Sequence, residues 1–306
     1  MSTDFTLILI TKDRSDISKC LNSIYNNMKK IKFKLIIIDG NSGDLLLNQI
    51  QKSYFKLYDI KIYKQRKGRF MRACFESVDY VQTKFFSFIY DDDVLSDKYY
   101  EIINCSLKND MPTFGKGSVE KINTNITFHN PIIKECFSLD KLQDYYSFSG
   151  FTNKNLPNSP ICSIFKTNIL IQWKHFLFCN CLKNKAYFDI LLRKNIGPDL
   201  LLYLISLDKE NKIKSTDTIM SKFSHHNNSM SVKYGSESLI FGYLITKIIF
   251  FKAIFKDKKY STRLKMKNYL IIQLIYIMIR NAFKKNQLNF KINSISLKEI
   301  YNLILL

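Results

Sequence analysis

The seven cysteines include no CxxC pair, and Cys179 and Cys181, with one residue between them, have the wrong spacing for a zinc knuckle. Cys20, Cys74, Cys105, Cys136 and Cys162 are scattered, so all seven read as reduced thiols, mostly in the core, as in a cytosolic protein. The chain shows no internal repeat and no low-complexity tract. Its first apolar run, Phe5 to Ile10, is too short for a signal peptide and lacks a basic lead and a cleavage site. Acidic residues are scarce: 26 Asp and Glu stand against 47 Lys and Arg, a formal charge of +21. Such an excess points to a polyanionic partner, either nucleic acid or an anionic membrane. The abundance of Lys, Asn and Ile is also what AT-rich coding sequence produces, which assigns part of the charge to solvated faces.

What is present is enough for one large α/β domain with an appendage. At 306 residues, 46% of them hydrophobic and 14% aromatic, the chain can bury an ample core and is not generally disordered. The first hundred residues alternate between strand and helix patterns. Strands are expected over Phe5–Thr11, Phe33–Ile38, Ile60–Lys64 and Phe85–Tyr90, with helices over Ile17–Met28, Leu45–Tyr54 and Gly68–Val81. Such alternation implies right-handed crossovers and a parallel sheet. Asn109 to Pro160 is less regular and carries four prolines, as ligand-facing loops often do. A helix is expected from Gly197-Pro198-Asp199 through Leu207, then a strand over Asp217–Phe223 and a small polar loop, Ser224 to Ser231.

Three consecutive aspartates, Asp91-Asp92-Asp93, follow the apolar run Phe85–Tyr90 directly. A buried strand that delivers clustered carboxylates to its C-terminal end suits a ligand crevice in an open α/β sheet. Mutual repulsion would be relieved by a hard divalent cation bridging to phosphates. The alternative is a helix start, with Asp92 or Asp93 capping a helix suggested by Val94 to Leu107.

Over roughly residues 4 to 232 the chain resembles the GT-A glycosyltransferases of the family 2-like type, which build bacterial surface glycans. The resemblance rests on four segments in order. They are Leu7-Ile8-Leu9-Ile10-Thr11-Lys12-Asp13-Arg14, Ile36-Ile37-Ile38-Asp39-Gly40-Asn41-Ser42, Gly68 to Val78, and Asp91-Asp92-Asp93 at the D-x-D position. It implies a Rossmann-like, mainly parallel central sheet flanked by helices, and a nucleotide-sugar donor, a UDP-sugar first, with Mn²⁺ or Mg²⁺. Thr11, Arg14 and Asp39 would line the nucleotide pocket, Asp39 accepting a hydrogen bond from the base. Asp39 also reads as a turn residue capping its own loop. Arg72 would face the nucleotide or diphosphate, or else occupy an ordinary solvated helix position. Asp93 is the expected direct metal ligand, with Asp91 and Asp92 at the ribose and metal-bound water and Asp91 counted among the metal's ligands. His225 or His226 would complete the metal shell, against the plainer reading of a solvated loop. Asp199 is the candidate general base, in a position where the family often has an acidic pair and this chain has Pro198. Its alternative is a charge complementing the helix dipole, and Asp189 and Asp208 are weaker substitutes. A base opposite the leaving group implies a single displacement with inversion. Asn158-Ser159-Pro160-Ile161-Cys162 resembles the segment before the acceptor region, and equally an ordinary turn before a strand.

Two domains are expected. Residues 1–235 would form the transferase domain, divided into a nucleotide-sugar half (1–108) and an acceptor half (109–235). Residues 236–306 would form a basic helical C-terminal region. There, Ser238–Phe255 and Tyr269–Phe283 read as two apolar helical segments, and from Lys247 to Lys291 twelve basic residues accompany one acid, Asp257. Peripheral contact with an anionic membrane fits that pattern better than spanning, since the second segment is too short, and the alternative is a packed helical hairpin with a solvated Lys face. The expected partners are therefore the donor, a glycan or glycolipid acceptor and the inner face of a bacterial plasma membrane. One rival reading is a basic nucleic-acid-binding protein, although no nucleic-acid module is recognisable. The other is a GT-A-like nucleotidyltransferase, against which the first strand lacks a following Gly-rich basic loop.

Overall fold

The structure, a computed structural model, describes residues 4–12, 16–41, 50, 59–65, 70–121, 127–129, 159–181, 187–210, 212–225, 230–254 and 260–283. Nine strands among them share one sheet: β1 (Phe5–Thr11), β2 (Lys34–Asp39), β3 (Ile60–Lys64), β4 (Phe85–Tyr90), β5 (Val94–Leu95), β6 (Thr113–Lys121), β7 (Thr127–His129), β8 (Ser163–Lys166) and β9 (Lys214–His225). Their order is β3-β2-β1-β4-β8-β6-β9-β5, with β7 beside β6. The β3-β2-β1-β4 half is wholly parallel, as the strand–helix alternation requires. β8 runs antiparallel to both β4 and β6, while β6 and β9 are parallel.

Every residue of β1 is buried, so helices must cover both faces of the sheet. Alternate side chains divide accordingly. Leu7, Leu9, Leu35 and Ile37 join one core with Cys20, Leu21 and Ile24 of α1 (Ser18–Met28) and with Tyr99, Ile102 and Ile103 of α3 (Tyr99–Asn109). Ile8, Ile10, Ile36 and Ile38 join the other, with α2 (Phe70–Val78), α4 (Thr167–Cys181), α5 (Pro198–Lys209), α6 (Met230–Ile254) and α7 (Tyr260–Phe283). Cys20, Cys74 and Cys162 are buried, Cys105 is partly exposed and Cys179 is exposed.

The helix suggested from Val94 begins five residues later, at Tyr99. Val94 and Leu95 instead pair antiparallel with Lys222 and Ser221 of β9. Side chains of α1 hold the chain there: the Leu95 N–H donates to Ser23 Oγ at 3.0 Å, and Asn27 Nδ2 donates to the Ser96 carbonyl at 3.0 Å. Asn27 Oδ1 in turn accepts the Tyr100 N–H at 3.0 Å, so the first turn of α3 is capped from another helix. Asp92 and Asp93 are therefore not its caps.

The helix expected over Leu45–Tyr54 lies outside the described residues apart from Ile50. The two C-terminal helices are longer than expected, beginning at Met230 and Tyr260. Among the described residues, no helix is long and apolar enough to cross a membrane. α6 packs tightly on the segment before α5: Gly242 lies against Ile196, and Gly197 lies against Thr246.

Candidate active site

The parallel strands bring the expected residues to one end of the sheet. Thr11 is level with Asp39, Asp39 with Lys64, and Ile10 with Tyr90, so Asp91 continues the same row. Ligand crevices of open α/β sheets form outside these C-terminal strand ends. The Lys12 N–H donates to Asp91 Oδ2 at 3.0 Å, tying the first acid of the triplet to the end of β1. Asp39 is 1% exposed, and both of its carboxylate oxygens accept hydrogen bonds from neighbours. Oδ1 accepts the Asn41 backbone N–H at 3.0 Å and Asn41 Nδ2 at 2.9 Å, and Oδ2 accepts Lys64 Nζ at 2.6 Å. Asn41 Nδ2 also reaches Thr11 Oγ1 at 3.3 Å. The capping role open to Asp39 is thus realised, and the strand-end row is pinned by short polar contacts.

Asp93 is buried in the turn after β4, its N–H donating to the Tyr90 carbonyl at 3.0 Å. Its negative charge helps to push up the pKa values of the Tyr90 phenol and the Cys162 thiol, both raised chiefly by burial. From here β5 leads antiparallel along β9, Val94 opposite Lys222 and Leu95 opposite Ser221. His225 ends β9 beside Lys121, and its side chain lies outside the described set, as do all of His226 and Arg14. Among the described residues, no three His, Cys, Asp or Glu side chains are grouped to hold an ion. The donor set nonetheless fits a hard divalent cation in kind, since adjacent carboxylates in a half-buried turn are oxygen ligands of the type Mg²⁺ and Mn²⁺ prefer.

Asp199 stands in the first turn of α5, following Gly197 at φ 101° and Pro198. Trp173 Nε1 donates to the Pro198 carbonyl at 2.8 Å, and Tyr243 of α6 donates its hydroxyl to Asp199 Oδ2 at 3.1 Å. Burial pushes the Asp199 carboxyl above the usual carboxylate range, opposed by hydrogen bonds from the Leu200 N–H and from Tyr243. Burial and then Cys74 raise the pKa of the Tyr90 phenol most, and the charges of Asp199 and Asp93 add to the rise. Tyr203, one turn after Asp199, donates to the Ser159 carbonyl at 2.9 Å and meets Ser163 Oγ at 2.8 Å. This fixes the segment at Ser159, where Pro160–Cys162 forms a single 3₁₀ turn before β8.

The remaining candidates are dispersed. Arg72 is on α2, half-exposed, with Nε 2.9 Å from Glu76 Oε1 one turn along. Asp208 pairs with Lys209 at 3.0 Å, at the opposite end of α5 from Asp199. Asp189 falls in a π-helical turn, Phe188–Arg193, with its side chain outside the described set. Sequence reading missed Lys64, Tyr90, Tyr203 and Tyr243. Lys64 and Tyr90 carried a signal, since each ends a strand beside a candidate. Tyr243 carried none, because it lies in a long apolar helix 44 residues from its partner.

The sequence model described as Glycosyl transferase family 2 matches residues 6–173. The sequence matches no curated protein. Among solved structures, S. aureus TarS 1–349 in complex with UDP-GlcNAc superposes with a TM-score of 0.57 at 16% identity, covering 88% of this chain and 71% of that one. The same protein in complex with UDP gives a TM-score of 0.55 at 15% identity, over 97% and 76% of the two chains. At such identity the likeness concerns the fold.

Proposed function

Because the chain belongs to glycosyl transferase family 2 and is a glycosyltransferase, we propose that it transfers a sugar with inversion from a UDP-sugar to a lipid-linked or oligosaccharide acceptor. The acceptor would belong to surface-glycan synthesis, such as lipopolysaccharide core or capsule, on the cytoplasmic face of a bacterial membrane. The observation that carries this reading is the row of polar strand ends, with Thr11 level with Asp39 and the Asp91 carboxylate accepting the Lys12 N–H, at the C-terminal edge of the parallel strands. The UDP and UDP-GlcNAc complexes of TarS, which shares the fold, support a uridine donor.

Thr11, Asp39 and Lys64, at adjoining strand ends, would line the nucleotide side, with Arg14 and Arg72 as further candidates. Asp93 and Asp91, with His225 or His226, would hold Mn²⁺ or Mg²⁺, and Asp92 would meet the ribose or a metal-bound water. An ion held there supplies Lewis-acid stabilisation of the charge that grows on the departing diphosphate. Asp199 takes the proton from the acceptor hydroxyl as that oxygen attacks the anomeric carbon from the face opposite the diphosphate. A carboxyl pushed upward by burial is a better proton acceptor for this step than an exposed one. Tyr243 holds one carboxylate oxygen while the proton moves.

A panel of nucleotide-sugars with Mn²⁺, read out as nucleoside-diphosphate release and thermal stabilisation, tests the reading. UDP release that requires the metal and is lost in Asp93→Asn is the expected result. Release of pyrophosphate would identify a nucleotidyltransferase instead. No turnover and no stabilisation by any donor would overturn the proposal.

A further inference from the structure

Helix α7 has two apolar faces, and among the described residues only one is covered. Met266, Leu270, Leu274 and Ile277 are buried with the side chains of α6 in one core. Leu264, Ile272, Ile275, Tyr276 and Ile279 are exposed, Ile272 at 54% and Ile279 at 50%. At about 100° per residue these five fall within about 120° of one another, on the side away from the buried row. From Leu264 to Ile279 the stripe runs about 22 Å along the helix, at about 1.5 Å per residue. Exposed apolar patches of this extent on a folded protein usually mark a contact surface.

The charge on the same element says what it meets. α7 contains Arg263, Lys265, Lys267 and Arg280 and no Asp or Glu. Lys267 falls beside the stripe on the helical wheel. It also bears on Lys252 of α6, whose pKa is lowered by burial and then by the charge of Lys267. An apolar stripe broken by Asn268, with Lys265 within its arc and Lys267 beside it, on a helix not apolar enough to cross a bilayer, matches an interfacial helix. Tyr276 suits the headgroup level, with an apolar ring and a polar tip.

We infer that the outer face of α7 is a docking surface for anionic phospholipid, with Leu264, Ile272, Ile275 and Ile279 entering the acyl boundary, Tyr276 at the headgroup level and Lys252 and Lys267 meeting lipid phosphates. This deepens the proposed function by naming the surface that carries the enzyme to a membrane-borne acceptor, and it rests on that reading only for its purpose.

The full chain is sedimented with phosphatidylglycerol-containing vesicles and with vesicles of phosphatidylcholine alone. The wild type should pellet with the first and stay largely in solution with the second. Ile272→Asp with Ile275→Asp should weaken the vesicle binding by about tenfold or more, since charge replaces inserted apolar surface. Lys252→Gln with Lys267→Gln, which leaves the stripe intact, should remove most of the preference for the anionic lipid. Melting temperature and UDP–Mn²⁺ binding by calorimetry, measured on each variant, report folding and the donor site separately. Failure of UDP binding in the wild type would count against the glycosyltransferase mechanism and leave the vesicle result standing. Indifference of the wild type to anionic vesicles, or unchanged binding by both double variants, would overturn the inference. So would a concentration-dependent dimer in light scattering that the Ile272/Ile275 variant abolishes, which would make this face a contact between copies.

Discussion

Tyr243 of α6 donates a hydrogen bond to Asp199 Oδ2 at 3.1 Å, and so ties a helix beyond the family match to the candidate base of the reaction. The contact is possible because Gly242 and Thr246 bring α6 against Ile196 and Gly197, the residues leading into α5. It opposes the burial that raises the Asp199 carboxyl.

Replacing Tyr243 by Phe keeps the ring and removes the donor. Burial is then less opposed, the Asp199 carboxyl rises further, and a smaller fraction is ionised on the acid side. The acid limb of the kcat–pH profile should therefore move to higher pH. At pH 6 kcat should fall roughly three- to tenfold, the scale of one hydrogen bond to a charged group, while the donor KM stays near that of the wild type. An unchanged profile would show that Tyr243 only packs.

Asp199→Asn is nearly isosteric but cannot take a proton from the acceptor. Transfer should drop by about 10²–10⁴-fold, with UDP affinity within about twofold of the wild type. Calorimetry and a single-turnover assay separate the two readouts. Near-normal transfer would return the base assignment to Asp189 or Asp208.

Gly197 has φ 101° and stands where a Cβ would meet Thr246 Oγ1. Gly197→Ala therefore meets both backbone strain and a close packed neighbour, at a cost of about 1–3 kcal/mol. A lower melting temperature is expected, and a second change, Thr246→Ala, should recover part of the loss. Full recovery would show that the backbone conformation itself costs little.

Lys247, on α6 one turn beyond Tyr243, is 1% exposed, and burial lowers its pKa to about 7 from 10.5. The folded state then binds fewer protons than the unfolded chain between these two values, so this residue makes stability rise with pH across that window. Below pH 7 the buried ammonium is charged and its full penalty applies; above 10.5 it is neutral in both states and the penalty is gone. Lys247→Met should therefore stabilise the protein, on the order of a few kcal/mol at pH 6, and progressively less toward pH 10. Thermal melts across that range provide the check. A benefit that does not depend on pH would mean that the ammonium is not desolvated as the fold implies.

Much of the architecture could be read from the linear chain because the signals were local. Phe5–Thr11, Ile60–Lys64 and Phe85–Tyr90 are strands over the same residues in sequence and structure, since short apolar runs bounded by polar turns leave little choice. The acidic triplet at the end of β4 followed from the same pattern, and parallel pairing set it in one row with Thr11 on the next strand and Asp39 on the one after. Val94–Leu95 was misread because its partners are in β9, more than a hundred residues on, and because the cap of α3 comes from Asn27.

The order of the amino acids was sufficient to specify an α/β sheet, its strand ends and the acids waiting there, because periodicity and turn chemistry act over a few residues. Folding in three dimensions was needed to bring Lys64 to Asp39 and Tyr243 to Asp199, and to leave one apolar side of α7 facing outward. Contacts such as these join segments far apart in the chain, and neither partner's immediate neighbours encode the other.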